Sequence, residues 1–311
     1  MQYVSLMSPG FSGSTLLSML LCSQPRCIGF GDTYFGRQSD PRNLCTCGVP
    51  FVECAPRCDA QDEIRSGGFP EFSWGTATAV PMPRGLPVRA RKYWPLSKSI
   101  SLHAVRQIPT AARRRLFRSY YLENRLMLSG LARSGKYAIY FDGCKDPVRL
   151  ELLRTELPGL KVIHMIRHPG AYLWHFHRLG ERRHTQRLRQ WSRYHKRVRS
   201  FQALVGPEKY FPVTYEYVVD SPDSFLRDVA AYLNMEKVHD SLPVKLRRSE
   251  IHIQGNRMRK TADRVLNLAD TWRGKLPAEL EADANRTLAG LPWAAFLFND
   301  KASPIADTGT P

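Results

Sequence analysis

The chain has 311 residues, a length that allows one large α/β domain or two smaller ones around an extensive hydrophobic core. Its 46 Lys and Arg outnumber its 28 Asp and Glu, and the resulting net charge of +18 indicates an anionic partner. The basic residues are not interleaved with aromatic ones, so we expect no nucleic-acid partner. The sequence has no apolar run of about 18 residues, so we expect no membrane span. It also has no basic leader, so we expect a cytoplasmic protein with mostly reduced cysteines.

The first predicted elements are a strand, a loop with two glycines and a helix. The apolar run Gln2–Met7 predicts a buried strand, and the apolar stretch that ends at Leu21 predicts the helix. Glycines and hydroxyls before a helix can hold a phosphate, although they also suit an ordinary capped turn. A Walker A loop is disfavoured, because Gly13 stands where that motif has lysine. The predicted phosphate-binding residues are Gly10, Phe11, Ser12, Gly13, Ser14 and Thr15.

A second short strand and its loop are predicted over Cys27–Gly36, and Asp32 lies in that loop. The next segment holds four cysteines within fourteen residues, so a zinc site is conceivable. Their spacing lacks the Cys-x-x-Cys pairs of common zinc sites, which favours a local disulfide or a plain loop and no metal. The four residues are Cys45, Cys47, Cys54 and Cys58.

Residues 59–112 are rich in Pro and Gly and have no sustained period, which predicts either a cap over the core or a partly disordered insert. A helix is predicted to resume near Ala112 and to end at Gly135. Its apolar stripe consists of Leu116, Phe117, Tyr120, Tyr121, Met127, Leu128 and Leu131.

A strand–helix–strand unit follows. Tyr137–Phe141 predicts a strand, Asp146 and Pro147 suit the start of a helix through Leu157, and Leu160–Ile166 predicts the next buried strand. Two strands joined in this way predict a parallel, right-handed crossover.

Arg167 comes directly after the second of these strands and two residues before Pro169, which begins a helix. Open α/β sheets bind ligands at the carboxyl ends of their strands, so this arginine is a candidate phosphate ligand. A capped helix with an exposed arginine is the alternative.

The remaining elements are mostly helices. A basic helix is predicted over His184–Phe201, and a short strand precedes a turn at Tyr215–Glu216. The segment His252–Lys260 combines a glycine with a dense basic end. One or two helices are predicted over Trp272–Leu288, and residues 301–311 are expected to fray.

Three segments, in this order, resemble the donor-binding segments of sulfotransferases that use 3′-phosphoadenosine 5′-phosphosulfate (PAPS). Ser12–Thr15 is similar to their 5′-phosphosulfate loop, although Phe11 replaces the usual Lys or Arg. Arg167 is similar to the arginine of an Arg-Asp-Pro turn that grips the 3′-phosphate together with a later serine, here replaced by His175. The late segment that closes over the 3′-phosphoadenosine is matched by Gly255, Asn256 and Arg259.

The resemblance covers most of the chain outside residues 59–112, and the segment starting at Cys45 is similar to a Cys-x-Cys-Gly segment of a bacterial group. It implies a P-loop-like three-layer α/β sandwich with a central parallel sheet and helices on both faces. It also implies a single domain over residues 1–300. Within that domain, the composition of residues 59–112 predicts a cap or insert over the acceptor side.

The resemblance further implies that PAPS is the co-substrate, that no metal is required and that Tyr215 lies near the adenine. The sulfuryl group would pass to a hydroxyl, or a similar group, on a small-molecule acceptor. Aromatic residues of the cap suggest an apolar or ring-bearing acceptor, although such side chains more often pack locally. They are Phe72, Trp74, Tyr93 and Trp94.

Two residues are predicted to act on the reaction itself. Lys145 is the candidate cation for the leaving phosphate, because Phe11 supplies no charge and similar bacterial sulfotransferases carry a lysine here; a surface lysine is the alternative. Asp32 is the candidate general base, because related enzymes place a carboxylate after this strand; a turn aspartate is the alternative. His175 and His164 are the next candidates for the base.

Two other functions compete with this interpretation. A nucleotide-dependent phosphotransferase is disfavoured by the missing Walker lysine and by the lack of a carboxylate cluster for Mg²⁺. A basic nucleic-acid-binding protein is disfavoured by the lack of a recognition surface. The sequence does not predict the oligomeric state.

Overall fold

The structure is a computed structural model that describes residues 1–31, 44–74, 80, 98–235, 252–253 and 272–299. Five parallel strands form one central sheet in the order β2-β3-β1-β4-β5. The first strand of the chain therefore lies in the middle of the sheet. The strands are β1 (Gln2–Met7), β2 (Cys27–Gly29), β3 (Ile139–Asp142), β4 (Lys161–Ile166) and β5 (Tyr210–Thr214).

Helices precede, connect and follow these strands, and none of the described helices is both long and apolar enough to cross a bilayer. In chain order they are α1 (Ser14–Cys22), α2 (Ala55–Ser66), α3 (Lys98–Gln107), α4 (Thr110–Leu116), α5 (Arg118–Arg133), α6 (Pro147–Arg154), α7 (Pro169–His177), α8 (His184–Arg199), α9 (Gln202–Val205), α10 (Tyr215–Asp220), α11 (Pro222–Leu233), α12 (Ala278–Ala289) and α13 (Pro292–Asn299).

Alternate residues of the strands pack on opposite faces of the sheet, as the two-residue period of a strand requires. In β1, Val4 and Leu6 join a buried cluster with apolar residues of α1 and α11. Tyr3 and Met7 join a second cluster with residues of α5 and α6. Both faces of the sheet are thus covered by helices, and the predicted three-layer α/β sandwich is confirmed.

The helix predicted from Ala112 to Gly135 is interrupted. Phe117 leaves the helical region with a φ of −112°, so that α4 ends at Leu116 and α5 begins at Arg118. Phe117 is buried, whereas Leu116 is 39% exposed and is not part of the apolar stripe. The interruption of the helix at Phe117 accounts for the break in the predicted period.

The described part of residues 59–112 is more ordered than its composition predicts. Most of α2 lies within it, and Ile64 of α2 packs so close to α5 that a Cβ atom at Gly130 would overlap it. Phe72 and Trp74 are fully buried beside Phe30, so these two aromatic residues are core residues and not candidate acceptor contacts. Tyr93 and Trp94 lie outside the described residues, and the assignment of the segment as a cap stays a prediction.

A buried ion pair fixes the end of β3. Arg149 donates to Asp142 across 2.6 Å, and its other nitrogens donate to the Tyr120 hydroxyl and to the Asn124 side chain at 2.6 and 2.9 Å. Tyr3 also donates to Asp142. Burial raises the pKa of the Asp142 carboxyl, but the Arg149 charge and the hydrogen bonds outweigh burial and leave that pKa below its usual value.

Arg149→Met is expected to lower the free energy of unfolding by about 3–5 kcal/mol, because it leaves the Asp142 charge buried without its partner. Urea unfolding followed by circular dichroism measures the loss. Arg114→Met is the matched control, since Arg114 pairs with Glu156 on the surface and its loss should barely move the midpoint. Equal midpoints for wild type and Arg149→Met would contradict a structural role for the pair.

Candidate active site

Four loops meet at one edge of the sheet. Because β1, β3, β4 and β5 are parallel, their carboxyl ends lie along the same edge. The segments that leave this edge are 8–13 after β1, 143–146 after β3, 167–168 after β4 and the start of α10 after β5. Several of the phosphate-binding candidates predicted from the sequence, among them Ser12, Gly13 and Arg167, lie in these segments.

The loop after β1 makes a tight turn into the start of α1. Gly13 is the N-cap of α1 with a φ of +89°, and a Cβ atom there would overlap the Tyr215 ring. Only glycine satisfies both the left-handed conformation and this close approach. Phe11 also has a positive φ, 66°, which is uncommon for a residue with a side chain.

Several hydroxyls of this loop are buried at the positive end of α1. Among the described residues, no hydrogen-bond partner is found for the side-chain oxygens of Ser8 and Ser12. Ser14 and Thr15 are also buried, in the first turn of α1, which contains no acidic residue. Hydroxyls that have no protein partner among these residues, at the positive end of a helix, are suited to hydrogen-bond an anion.

Lys145 reaches this loop from β3. Its ammonium group donates to the Ser14 hydroxyl across 3.1 Å, and its backbone has a positive φ of 57°. Tyr194 donates its hydroxyl to the Lys145 carbonyl at 3.1 Å, and Asp146 caps α6 by accepting from the Val148 N–H at 2.9 Å. The loop on both sides of Lys145 is therefore held by hydrogen bonds, and Lys145 itself is half-buried. Its role toward a leaving phosphate stays a prediction.

Arg167 approaches the same loop from β4. One of its terminal nitrogens donates to the Phe11 carbonyl at 2.9 Å, and its guanidinium lies over the Tyr215 ring, 4.7 Å from the centroid. Its Nε is buried and has no hydrogen-bond partner among the described residues. Arg167 therefore keeps a donor for a further acceptor while its position is set by two contacts.

His175 and Arg167 both contact Phe11. The His175 and Phe11 rings stack with centroids 4.2 Å apart, and His175 Nε2 is buried with no partner among the described residues. Burial, and then the charges of Arg167 and Arg178, lower the pKa of His175. The ring is therefore neutral near pH 7 and can donate or accept one hydrogen bond. Phe11 brings no cation to the loop, and its ring, 44% exposed, supports His175 instead.

The turn between β4 and α7 is stabilised by contacts that could not be identified from the sequence. His168, which replaces the aspartate of related turns, accepts from the Gly170 N–H at 3.1 Å and so caps α7. Its ring stacks on Trp272 at 4.7 Å, and its backbone N–H donates to Glu216 at 3.0 Å. Trp272 was predicted as part of a helix, and no local pattern connects it with this turn.

Some predicted site residues cannot be placed. Asp32, together with Gly255, Asn256 and Arg259, lies outside the described residues. Gly31, the residue before Asp32, lies against the loop of Lys145, since a Cβ atom at Gly143 would overlap the Gly31 carbonyl.

His164, an alternative base, is fully buried. Its ring nitrogens face the Tyr210 hydroxyl and, at 2.8 Å, His195, and burial lowers its pKa. This side chain has no access to an acceptor, which removes it from the candidates.

Solved structures of other proteins share the fold of this chain. The sulfotransferase domain of the olefin synthase from Synechococcus PCC 7002 superposes with a TM-score of 0.54 at 18% identity, over 96% of this chain and 94% of that domain. A sulfotransferase domain from the curacin biosynthetic pathway gives a TM-score of 0.52 at 16% identity, over 94% and 97% of the two chains. At these identities the likeness establishes a shared fold.

The sequence was also matched to a model of a protein family. A search of curated protein sequences found no match. The model of the sulfotransferase family matches residues 11–240, which is most of the chain and includes Lys145, Arg167 and the second half of the loop after β1. This protein is a member of the sulfotransferase family.

Proposed function

We propose that this sulfotransferase uses PAPS as its donor and transfers the sulfuryl group to a hydroxyl, or a similar group, of a small-molecule acceptor. The observation that carries the proposal is the approach of two cations to one loop from opposite sides. Lys145 contacts Ser14 at the start of α1, and Arg167 contacts the Phe11 carbonyl. A donor with a phosphosulfate at one end and a 3′-phosphate at the other needs two such anion sites.

The first anion site is formed by the start of α1. The backbone N–H groups after Gly13, the hydroxyls of Ser12, Ser14 and Thr15 and the Lys145 ammonium would hold the 5′-phosphosulfate. These hydrogen-bonding groups are held in place before PAPS binds. They therefore need little reorganisation when charge develops on the leaving phosphate.

The second anion site is formed by Arg167 and His175, and it would hold the 3′-phosphate. Arginine donates to phosphate through several N–H groups at once, and the Arg167 Nε has no partner among the described residues. Tyr215, which packs against both Gly13 and Arg167, would border the adenosine between the two sites. Gly255, Asn256 and Arg259 complete the proposed donor site from the late segment.

In the proposed reaction an acceptor oxygen forms a bond to sulfur while the bond from sulfur to the 5′-phosphate oxygen breaks. The acceptor proton passes to the Asp32 carboxylate, and 3′-phosphoadenosine 5′-phosphate leaves. Transfer of a sulfuryl group by this route involves no redox change and no metal. The solved neighbours are named for an olefin synthase and for a biosynthetic pathway, which supports a small molecule as the acceptor here.

Thermal-shift titration tests the donor. We expect 3′-phosphoadenosine 5′-phosphate to stabilise the protein, by about 2.7 kcal/mol at one hundred times its dissociation constant. ATP with Mg²⁺ and an RNA oligomer are the comparison ligands, for a phosphotransferase and for a nucleic-acid binder. Stabilisation by either of these, with none from 3′-phosphoadenosine 5′-phosphate, would contradict the proposal.

Arg167→Ala is expected to raise the dissociation constant or Michaelis constant for PAPS at least tenfold, because a charge-assisted contact is worth about 1.5–3 kcal/mol. The affinity for adenosine 5′-phosphosulfate, which lacks the 3′-phosphate, should hardly change. Arg227→Ala is the control, since Arg227 lies exposed on α11 and donates to Ser224. Equal losses for both donors would place Arg167 away from the 3′-phosphate.

A further inference from the structure

Three cysteines that are close in sequence lie together with a histidine from a distant part of the chain. The ligand atoms of Cys45, Cys47, Cys54 and His252 all lie within 4.8 Å of one another. Cys47 Sγ is 3.9 Å from Cys54 Sγ, and Cys54 Sγ is 3.3 Å from His252 Nδ1. All seven cysteines are free thiols. Of the two alternatives that the sequence favoured, a local disulfide and a plain loop, the disulfide is therefore not present.

These separations are close to those around a tetrahedral zinc ion. With Zn–S bonds of about 2.3 Å and Zn–N bonds of about 2.0–2.1 Å, tetrahedral geometry places two sulfurs about 3.8 Å apart and a sulfur and a nitrogen about 3.5 Å apart. The observed 3.9 and 3.3 Å differ from these values by a few tenths of an ångström. The other pairs of ligand atoms lie within 4.8 Å, so side-chain movements of about 1 Å would bring all four atoms to tetrahedral positions.

A tight turn brings the first two thiols together. Leu44 and Pro50 pair in antiparallel fashion, and within that pair the Cys45 N–H donates to the Val49 carbonyl at 2.8 Å. Gly48 donates back to the Cys45 carbonyl at 3.1 Å with a φ of +99°. This reversal lets a Cys-x-Cys pair act where zinc sites more often use Cys-x-x-Cys.

The third thiol belongs to Cys54, which is the N-cap residue of α2. Cys45 and Cys54 are buried, and Cys47 is partly buried. Cys58 follows one helical turn later but is not in the cluster, because its thiol donates to the Val52 carbonyl at 3.3 Å.

The histidine is held in place by backbone contacts to the cysteine turn. Thr46 donates its N–H to the Ile253 carbonyl at 3.3 Å, and the Ile253 N–H donates to the Thr46 hydroxyl at 3.2 Å. Ile253 is buried in the core cluster that includes Leu16 and Ile163. His252 therefore reaches Cys54 from a chain position 198 residues later, which no local spacing could reveal.

We propose that Cys45, Cys47, Cys54 and His252 bind one Zn²⁺ ion in a closed structural site. Three sulfurs and one imidazole nitrogen are ligands that zinc accepts, and the cluster offers no oxygen ligand of the kind that Mg²⁺ or Ca²⁺ requires. Four protein ligands leave no open position for substrate, so the metal takes no part in the sulfuryl transfer.

The bound ion links the cysteine turn to residues 252–253 across most of the chain. On binding, three Zn–S bonds replace three S–H bonds and up to three protons go to the solvent, so that the site carries a net charge of about −1. A link between residues so far apart restricts the unfolded chain more than the folded one, and metal binding is therefore expected to stabilise the fold. The sequence-based preference for a disulfide or a plain loop is replaced by this proposal.

Metal analysis of the full-length chain, purified under reducing conditions and reconstituted with Zn²⁺, tests the site. We expect one zinc per chain by elemental analysis, a fall in melting temperature on treatment with a strong chelator, and recovery when Zn²⁺ is restored. Replacement by Co²⁺ should give the visible absorption bands of a tetrahedral thiolate complex. Less than half an equivalent of zinc after reconstitution would overturn the proposal, and so would stoichiometric iron in its place.

Matched variants assign the ligands. Cys54→Ser and His252→Ala should lose the metal, whereas Cys58→Ser, which changes a cysteine four residues away in the same helix, should keep it. Should the first two variants fail to fold, His252→Cys keeps four ligands and should bind one equivalent. Loss of metal from Cys58→Ser to the same extent would overturn the assignment. So would a metal-free protein with five free thiols and a disulfide between Cys47 and Cys54.

Discussion

Asp32→Asn is expected to lower kcat by about 10²- to 10⁴-fold, the contribution typical of a positioned general base. An acceptor hydroxyl is a weak nucleophile until its proton is taken, and asparagine has nearly the shape of aspartate but cannot accept that proton. The affinity for 3′-phosphoadenosine 5′-phosphate and the melting temperature should stay near the wild-type values. A loss of kcat alone separates a base from a structural residue.

The expectation for Asp32 rests on the place where β2 ends. Gly31 touches Gly143, two residues before Lys145, so the chain that leads to Asp32 runs beside the proposed leaving-group cation. A base for this reaction must lie close to the sulfur, and the sulfur must lie close to that cation. An aspartate is shorter than the glutamate usual in related enzymes, so the acceptor would have to sit closer to this loop.

The measurement needs an acceptor, which screening with a ³⁵S-labelled donor would supply. Asp62→Asn is the matched control, because Asp62 is an exposed aspartate of α2. It should turn over like the wild type. Full turnover by Asp32→Asn would move the base to another residue, and His175 would then be tested, since His164 is buried.

The parts of the site that could be predicted from the sequence are those in which the functional residue is adjacent to a buried strand. The run Gln2–Met7 leads directly into the loop that Gly13 closes, and Leu160–Ile166 leads directly into Arg167. In such a case the strand sets the position of the residue, and parallel pairing brings it to the common edge. Lys145 follows β3 in the same way.

The parts that could not be predicted depend on contacts between distant segments. Trp272 supports the turn at His168, and His252 completes the cysteine cluster, yet neither shares a local pattern with its partner. The position of β1 between β3 and β4 is likewise a property of the sheet and not of any strand. Trp74 lies in a segment without a period, so its burial depends on the core that the sheet supplies.

The contacts of Phe11 give a physical reason to expect that the cation for the leaving phosphate comes from another part of the chain. Related loops carry Lys or Arg at this position, whereas the Phe11 ring stacks on His175 and its carbonyl accepts from Arg167. Phe11 thus contacts the two residues that are proposed to bind the 3′-phosphate. A cation for the leaving phosphate must come from another element, and the Lys145 ammonium lies 3.1 Å from the Ser14 hydroxyl.

Lys145→Ala is expected to lower kcat by about 10²- to 10³-fold, the loss typical when one preorganised donor to a developing anion is removed. Negative charge grows on the leaving phosphate as the bond to sulfur breaks, so the lysine interacts most strongly in the transition state. The loss in kcat should therefore exceed the loss in affinity for PAPS. Steady-state kinetics measures the first quantity, and titration with 3′-phosphoadenosine 5′-phosphate measures the affinity of the donor site.

The comparison variant is Lys136→Ala, which removes an exposed lysine that pairs with Glu63 at 2.6 Å. This change lowers the positive charge of the protein by the same amount as Lys145→Ala, so it controls for general electrostatic attraction of the donor. Its kcat should match that of the wild type. An unchanged kcat in Lys145→Ala, or an equal fall in both variants, would mean that the contact with Ser14 only positions the loop, and the cation for the leaving phosphate would then have to be sought elsewhere.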